Sequence, residues 1–351
     1  MIDSPTATET DTAPFVDRAG PAQPLLRVRG LLKHFLLKGD GLQRNAGRVH
    51  AVDGIDFDVF KGETLGIVGE SGCGKSTTAR LLMRLLTPDA GEVVFDGELV
   101  GPGGSLSDRA MRRQMQMVFQ NSYASLNPRM TVEDSIAFGP EVHGTRRSEA
   151  RQRARQLLEQ VGLLPGQFAH RYPHELSGGQ RQRVNIARAL ALHPRLLILD
   201  EAVSALDKSV EAQVLNLLVE LKERYALTYV FISHDLNVVR YLADRVMVMY
   251  LGKVAEIAET ETLYAAPAHP YTRALMSAMP SMDPDQRTQT PPLSGDPPNP
   301  IDLPAGCRFR PRCAFAIDRC DQVSPELAAL SDCSAQSAAC HRADEIRGGL
   351  S

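Results

Sequence analysis

An α/β fold with a mainly parallel sheet is predicted by three observations. Short apolar strands alternate with helical patterns through the middle of the chain. One strand–helix junction is a glycine-rich loop, residues 69–74. A later apolar strand, 196–199, ends in two consecutive acids, Asp200 and Glu201. The length of 351 residues allows two domains, or one large domain with appendages.

The elements follow in order. Residues 1–24 are rich in Thr, Ala, Pro and Asp, and predict a disordered lead-in. A strand is expected near 25–28, then a Gly- and Lys-containing stretch over 38–48. Residues 51–59 alternate apolar and polar, as a half-buried strand does. The apolar run 64–68 leads into the glycine loop, and 77–86 has helical spacing. Residues 91–94 read as a strand and 101–104 as a turn. A charged amphipathic helix is expected over 146–161, with Ala150, Ala154, Leu157, Leu158 and Val161 on one face. A helix over 210–221 and strands over 228–232 and 246–249 complete the alternation. Past Pro280, residues 281–306 are dense in Pro, Asp and Ser and predict an irregular connection. A cysteine-rich tail occupies 307–341. No internal repeat or long heptad run is present.

Composition narrows the function. Hydrophobic residues make up 43% and charged residues 23%, so a soluble core can form. The formal charge is −3, which speaks against nucleic acid as the main ligand. No run approaches the 18 apolar residues of a membrane span, and the start lacks a basic-then-apolar leader pattern. A cytosolic location is expected. There, six cysteines are reduced, catalytic or metal-bound more often than paired.

Gly69-Glu70-Ser71-Gly72-Cys73-Gly74-Lys75-Ser76 has the spacing of a phosphate-binding loop. Glycines let backbone N–H groups approach phosphate oxygens without Cβ clashes. Lys75 reaches the β- and γ-phosphates, and the Ser76 hydroxyl faces Mg²⁺. The helix that starts near Lys75 points its positive dipole end at the anion. Cys73 reads as a small residue at a variable loop position. Asp200 and Glu201 lie at the C-terminal edge of a buried strand, where ligands of open α/β sheets bind. Asp200 is the candidate Mg²⁺ ligand, and Glu201 the group that orients or deprotonates the attacking water.

Leu176-Ser177-Gly178-Gly179-Gln180 lies between these two motifs. Here the chain resembles the ATP-binding-cassette family, over roughly residues 25–280. Ser204-Ala205-Leu206-Asp207 resembles the family's D-loop, His234 its switch histidine, and Gln120 its Q-loop glutamine. The resemblance implies a P-loop NTPase with a RecA-like core, an antiparallel β subdomain and a helical subdomain at about 121–190. It implies ATP held by Gly69, Ser71, Gly72, Cys73, Gly74, Lys75, Ser76 and Thr77, with Mg²⁺ held by Ser76, Gln120 and Asp200. Glu201, His234 and Lys75 are the implied catalytic residues. Ser177, Gly178, Gly179, Gln180 and Asp207 would cap the ATP of a second subunit. Ser177 and its glycines before a helix also read, on their own, as an anion site at a helix N-terminus. Phe35 resembles the aromatic that stacks on adenine; a core phenylalanine is the competing reading, and His50 is a weaker stacking candidate. Ala202 stands where the subfamily usually has Pro, which would stiffen the turn after Glu201.

Ser125-Leu126-Asn127-Pro128, Tyr172-Pro173-His174-Glu175 and His269-Pro270-Tyr271-Thr272 resemble the oligopeptide/dipeptide (and nickel) importers. The 38–48 stretch resembles their F-type ATPase subunit. This implies a paralogous ATPase as heterodimer partner, two membrane permease subunits docking near 120–140, and an extracytoplasmic solute-binding protein. It implies a peripheral position on the cytoplasmic face of the cell membrane. A soluble cassette protein acting on ribosomes or DNA is the alternative class, and one cassette with no room for a long coiled coil speaks against it.

Five cysteines fall within 307–340, and a short tail without a core needs a staple. Zinc favours closely spaced Cys pairs, which are missing; a four-thiolate iron–sulfur cluster tolerates looser spacing. The subfamily resemblance favours a 4Fe-4S cluster on Cys307, Cys313, Cys320 and Cys340 in this C-terminal extension (281–351), with Cys333 spare. Zinc and free thiols remain the other readings. Arg308, Arg310 and Arg312 read as solvating the tail.

Overall fold

The computed structural model describes residues 23–37, 47–279 and 298–349. Most of the expected lead-in, of the 38–48 stretch and of the 281–306 connection lies outside the described residues. The described strands are β1 (Pro24–Leu36), β2 (Arg48–Phe60), β3 (Thr64–Val68), β4 (Ala90–Phe95), β5 (Glu98–Leu99), β6 (Met115–Val118), β7 (Leu196–Asp200), β8 (Thr228–Ile232), β9 (Arg245–Tyr250), β10 (Lys253–Glu259), β11 (Ala328–Ala329) and β12 (Ser337–Ala338). They form an antiparallel sheet in the order β2-β1-β4-β5 and a larger sheet in the order β11-β12-β10-β9-β3-β8-β7-β6. In the larger sheet β9, β3, β8, β7 and β6 run parallel, as expected, while β10, β12 and β11 extend it antiparallel.

The parallel strands are buried on both faces, which is why they read as continuous apolar runs. Alternate residues feed two separate cores. Leu65, Ile67, Leu196, Ile198, Val230 and Ile232 join the antiparallel sheet and the helix Lys75–Leu82. Val68, Leu197, Leu199, Tyr229 and Phe231 face the other way, toward the helices Val132–Val142, Arg147–Gln160, Gly178–Leu190 and Lys208–Tyr225. Each such fully buried aliphatic side chain contributes about 1.5–3 kcal/mol relative to exposure. The parallel strands thereby hold their C-terminal ends side by side.

The helix Val132–Val142 was not anticipated, although Thr131 marks its start. The Thr131 hydroxyl accepts from the Asp134 N–H at 3.2 Å, an N-cap. The tail also departs from expectation. It is joined to the sheet: Glu256 and Ile257 of β10 pair with Ala338 and Ser337 of β12. Gln336 Nε2 donates to Glu256 Oε1 at 2.7 Å and to the Ala266 carbonyl at 3.0 Å. The fully buried Glu256 carboxylate also accepts from the Ala268 and His269 N–H groups.

Candidate nucleotide site

The phosphate loop connects β3 to the helix Lys75–Leu82. Two of its glycines have no substitute. At Gly69 a Cβ would lie 2.2 Å from the Met249 carbonyl oxygen; at Gly74 it would lie 2.3 Å from that of Ala51. Gly74 also has φ +113°, a backbone conformation that favours glycine. Neighbouring strands thus press on the loop from behind and turn it toward solvent, where Ser71 and Gly72 are exposed. Lys75 is buried, and its Nζ donates to the Gly69 carbonyl at 2.7 Å and the Glu70 carbonyl at 3.0 Å. Cys73 is buried behind the loop, and burial pushes its thiol up.

The Ser76 hydroxyl donates to Asp200 Oδ1 at 2.9 Å, so loop and carboxylate strand meet as expected. Asp200 is almost wholly buried. Burial pushes its carboxyl up, the Ser76 hydrogen bond opposes this, and the Glu201 charge adds to the rise. A divalent cation would reverse that balance, and hard oxygen donors of this kind suit Mg²⁺. Glu201 has φ +48°, strained for a residue with a side chain. Its N–H donates to the Ile232 carbonyl at 2.9 Å, which ties the turn to β8. Glu201 Oε2 accepts from Gln120 Nε2 at 2.6 Å and lies 3.7 Å from His234 Nδ1. Gln120, Glu201 and His234 follow the ends of β6, β7 and β8, three adjacent strands. Ala202 is buried, and the Ser204 hydroxyl donates to the Glu201 carbonyl at 3.0 Å, so hydrogen bonding holds the turn where proline is missing.

Ser177 caps the helix Gly178–Leu190. Its hydroxyl accepts from the Gln180 N–H, and the Gln180 side chain accepts from the Ser177 N–H, a reciprocal capping box. Gly179 is required by packing, since a Cβ would come 2.4 Å from Val210. Asp207 is the N-cap residue of the helix Lys208–Tyr225. Among the described residues no hydrogen bond or ion pair joins Ser177, Gln180 or Asp207 to this chain's own phosphate loop.

The core reading of Phe35 is corrected: it is 37% exposed on the β1–β2 hairpin, opposite Val49. His50 instead packs on His34, ring centroids 4.0 Å apart. His34 Nε2 is 2.7 Å from Asp53 Oδ1. His34, His50 and Asp53 are, among the described residues, the only trio of His, Cys, Asp or Glu with ligand atoms within 4.8 Å of one another. Arg308 already pairs with Asp53 and supplies the trio's cation. Burial would raise the Asp53 carboxyl, and His34 and Arg308 more than offset that.

In the tail, Cys307, Cys313, Cys320 and Cys340 line one pocket, with His269, Phe309 and Arg342 among its other walls. Cys333 is not among them; it packs near Leu330 and Ala338. All six cysteines are free thiols. Burial pushes Cys307 and Cys313 up and Cys340 up to about 12, with neighbouring thiols adding to each. The expectation that the arginines merely solvate this segment is overturned for Arg308 and Arg312. Arg308 pairs with Asp53 and also donates to the Leu251 carbonyl. Arg312 forks onto Glu70 of the phosphate loop at 2.8 and 2.9 Å. Arg310 pairs with Asp321 at 2.6 Å on the surface. Sequence reasoning also missed Tyr271, whose hydroxyl accepts from the Glu70 N–H at 2.8 Å. Its signal was the His269-Pro270-Tyr271-Thr272 motif, where His269 Nδ1 accepts from the Tyr271 N–H and caps the helix Pro270–Ser277.

A phosphate loop hydrogen-bonded to the carboxylate end of a parallel strand defines a P-loop nucleoside triphosphatase. Residues 52–204 match the ABC transporter family, and residues 255–320 match the oligopeptide/dipeptide transporter C-terminal region. The chain is 50% identical over 305 residues to a putative peptide import ATP-binding protein of Brucella ovis, covering 87% of this chain and 94% of that protein. It is 45% identical to the di/tripeptide transport ATP-binding protein DppF of Pseudomonas aeruginosa, covering 93% of this chain and all of that one. Among solved structures, cbiO1 of Clostridium perfringens, part of the ABC transporter complex cbiONQ, superimposes with a TM-score of 0.58. It is 28% identical and is matched over 69% of this chain and 91% of its own. A dimeric ATP-binding cassette in a post-hydrolysis state with ADP and Pi gives 0.57 at 28% identity, over 67% of this chain and 98% of its own. The chain belongs to the ABC transporter ATP-binding proteins, among the relatives that carry the peptide-transporter C-terminal region, and it is an ATPase. No helix among the described residues is long and apolar enough to cross a membrane.

Proposed function

We propose that this chain is the ATP-hydrolysing subunit that powers uptake of di- and oligopeptides through an importer. The observation that carries the reading is similarity over 87% and 93% of this chain to two peptide transport ATP-binding proteins, combined with the meeting of Gln120 and His234 at Glu201 Oε2. Peptide rather than nickel is favoured because the relatives are named for peptides.

ATP phosphates lie against the loop 69–74, Lys75 turns from the loop carbonyls to the β- and γ-phosphates, and Phe35 stacks on adenine. Ser76, Asp200 and Gln120 hold Mg²⁺, which supplies charge neutralisation at the phosphates. Gln120 gives its amide N–H₂ to Glu201, which leaves the amide oxygen for the cation. Glu201 takes a proton from, or orients, the attacking water, and His234 bonds the γ-phosphate. Catalysis is thus positioning plus charge stabilisation. Ser177, Gly178, Gly179, Gln180 and Asp207 serve the ATP of a paralogous partner. Closure of the two subunits drives two permeases, fed by a solute-binding protein, from the cytoplasmic face of the membrane.

Residues 281–351 form the extension that holds a 4Fe-4S cluster on Cys307, Cys313, Cys320 and Cys340. The four thiols line one pocket, as such a group requires. A single tetrahedral zinc would draw its sulfur ligands to about 3.8 Å from one another; no three of these thiols lie within 4.8 Å of each other. The cluster would take the protons' place on the thiols, of which Cys307, Cys313 and Cys340 are pushed up by burial. Two measurements test these readings. Peptide uptake by proteoliposomes carrying the whole transporter should require ATP and intact Glu201. Iron and sulfide should both be found in anaerobically purified protein; their joint absence removes the cluster.

A further inference from the structure

Residues 307–313 run between two sites. Cys307 and Cys313, at the two ends, line the thiol pocket. Between them Phe309 enters an aromatic group with Tyr250 and Tyr271, ring centroids 5.3 and 5.5 Å away. Arg312 places both guanidinium NH groups on the two Glu70 oxygens, and one of them also lies 3.4 Å from the Tyr250 hydroxyl. Its side chain is only 5% exposed and that of Glu70 26%. A forked, largely desolvated pair is stronger than a surface one. Glu70 is the second residue of the phosphate loop and puts a carboxylate beside a site that must hold a polyanion. Tyr271 fixes the Glu70 backbone from the same side.

We propose that Arg312 is a positioning residue for ATP: it neutralises Glu70, holds the phosphate loop, and is itself held in place by the thiol pocket through Cys307 and Cys313. The tail is therefore a strut on the nucleotide site. The inference rests on ATP binding at the loop; the charge role of Arg312 is independent of what the thiols hold, and its anchoring rests on the pocket they line. Loss of the guanidinium leaves an uncompensated charge near the phosphates, worth about tenfold in affinity at the dielectric of a protein surface.

The test is steady-state ATPase kinetics on the intact transporter complex. Arg312→Ala should raise KM for MgATP about tenfold with kcat within about twofold. Arg312→Lys should fall between. Adding Glu70→Gln to Arg312→Ala should bring KM back toward wild type, which a merely structural role would not do. Glu70→Gln alone keeps one acceptor oxygen for Arg312 and removes the carboxylate charge, so its KM for MgATP should lie below that of Arg312→Ala; a KM as high as that variant's overturns the charge role. Cys340→Ala lines the pocket outside 307–313; it should raise KM in the wild-type background and add little to Arg312→Ala. An unchanged KM in Arg312→Ala, or a double variant no better than the single, overturns the charge role. An unchanged KM in Cys340→Ala overturns the anchoring. A wild-type complex with no MgATP affinity would instead strike at the ATP site itself, and has no KM to compare.

Discussion

Gln120 and Glu201 share a hydrogen bond of 2.6 Å across the ends of β6 and β7. His234, beyond β8, faces the same carboxylate oxygen at 3.7 Å. The three residues are 81 and 33 positions apart in sequence (120 to 201, 201 to 234). Parallel strand order brings them together, because each strand ends at the same edge.

Glu201→Gln should keep the Gln120 contact through its amide oxygen and keep ATP binding. It should lower turnover by roughly 10²–10⁴-fold, the usual worth of a general base. Nucleotide binding and single-turnover hydrolysis on the same preparation separate the two effects. Wild-type turnover would remove Glu201 from its role.

Gly74→Ala should damage both fold and site. Its Cβ would meet the Ala51 carbonyl at 2.3 Å, and φ is +113°. A strained φ of this kind costs on the order of 1–3 kcal/mol, before any clash. The expected result is a lower Tm by scanning fluorimetry together with loss of MgATP binding. An unshifted melt with normal binding contradicts the packing account.

His269 gives stability a pH dependence. Burial lowers its imidazole to about 4, against an ordinary 6.5. Between those values the unfolded chain binds the extra proton. Stability is therefore full above about 6.5 and is lost as pH falls toward 4. From pH 7 to pH 5 the loss should be roughly 2 kcal/mol. Urea unfolding at the two pH values checks it, and His269→Gln should flatten the difference.

Gln336→Ala should loosen the tail from the sheet. It removes one donor from the buried Glu256 carboxylate and one from the Ala266 carbonyl. A buried acceptor left short of a partner costs about 1–3 kcal/mol. Limited proteolysis should then cut within 328–349 faster, at unchanged nucleotide affinity unless residues 307–313 shift as well.

The parallel sheet was legible because its strands are buried on both faces and so appear as apolar runs with ends marked by glycine or acid. The phosphate loop was legible because Gly69 and Gly74 have no alternative: carbonyl oxygens lie where a side chain would start. The helix Val132–Val142 escaped notice because its apolar face is short and its cap at Thr131 is a weak local signal. Phe35 could not be placed, since an aromatic on a hairpin reads alike whether it points inward or outward.

By itself the sequence determined the α/β class, the phosphate loop, the paired acids and the resemblance built on six ordered motifs. These are encoded in consecutive residues, where backbone conformation and burial act locally. Only the tertiary structure decided that Arg312 lies on Glu70, 242 positions earlier, and that the Tyr271 hydroxyl accepts from the Glu70 N–H. Such pairs depend on how residues 307–313 pack against Tyr250 and Tyr271, and side-chain charges attract at ångström range whatever their distance along the chain.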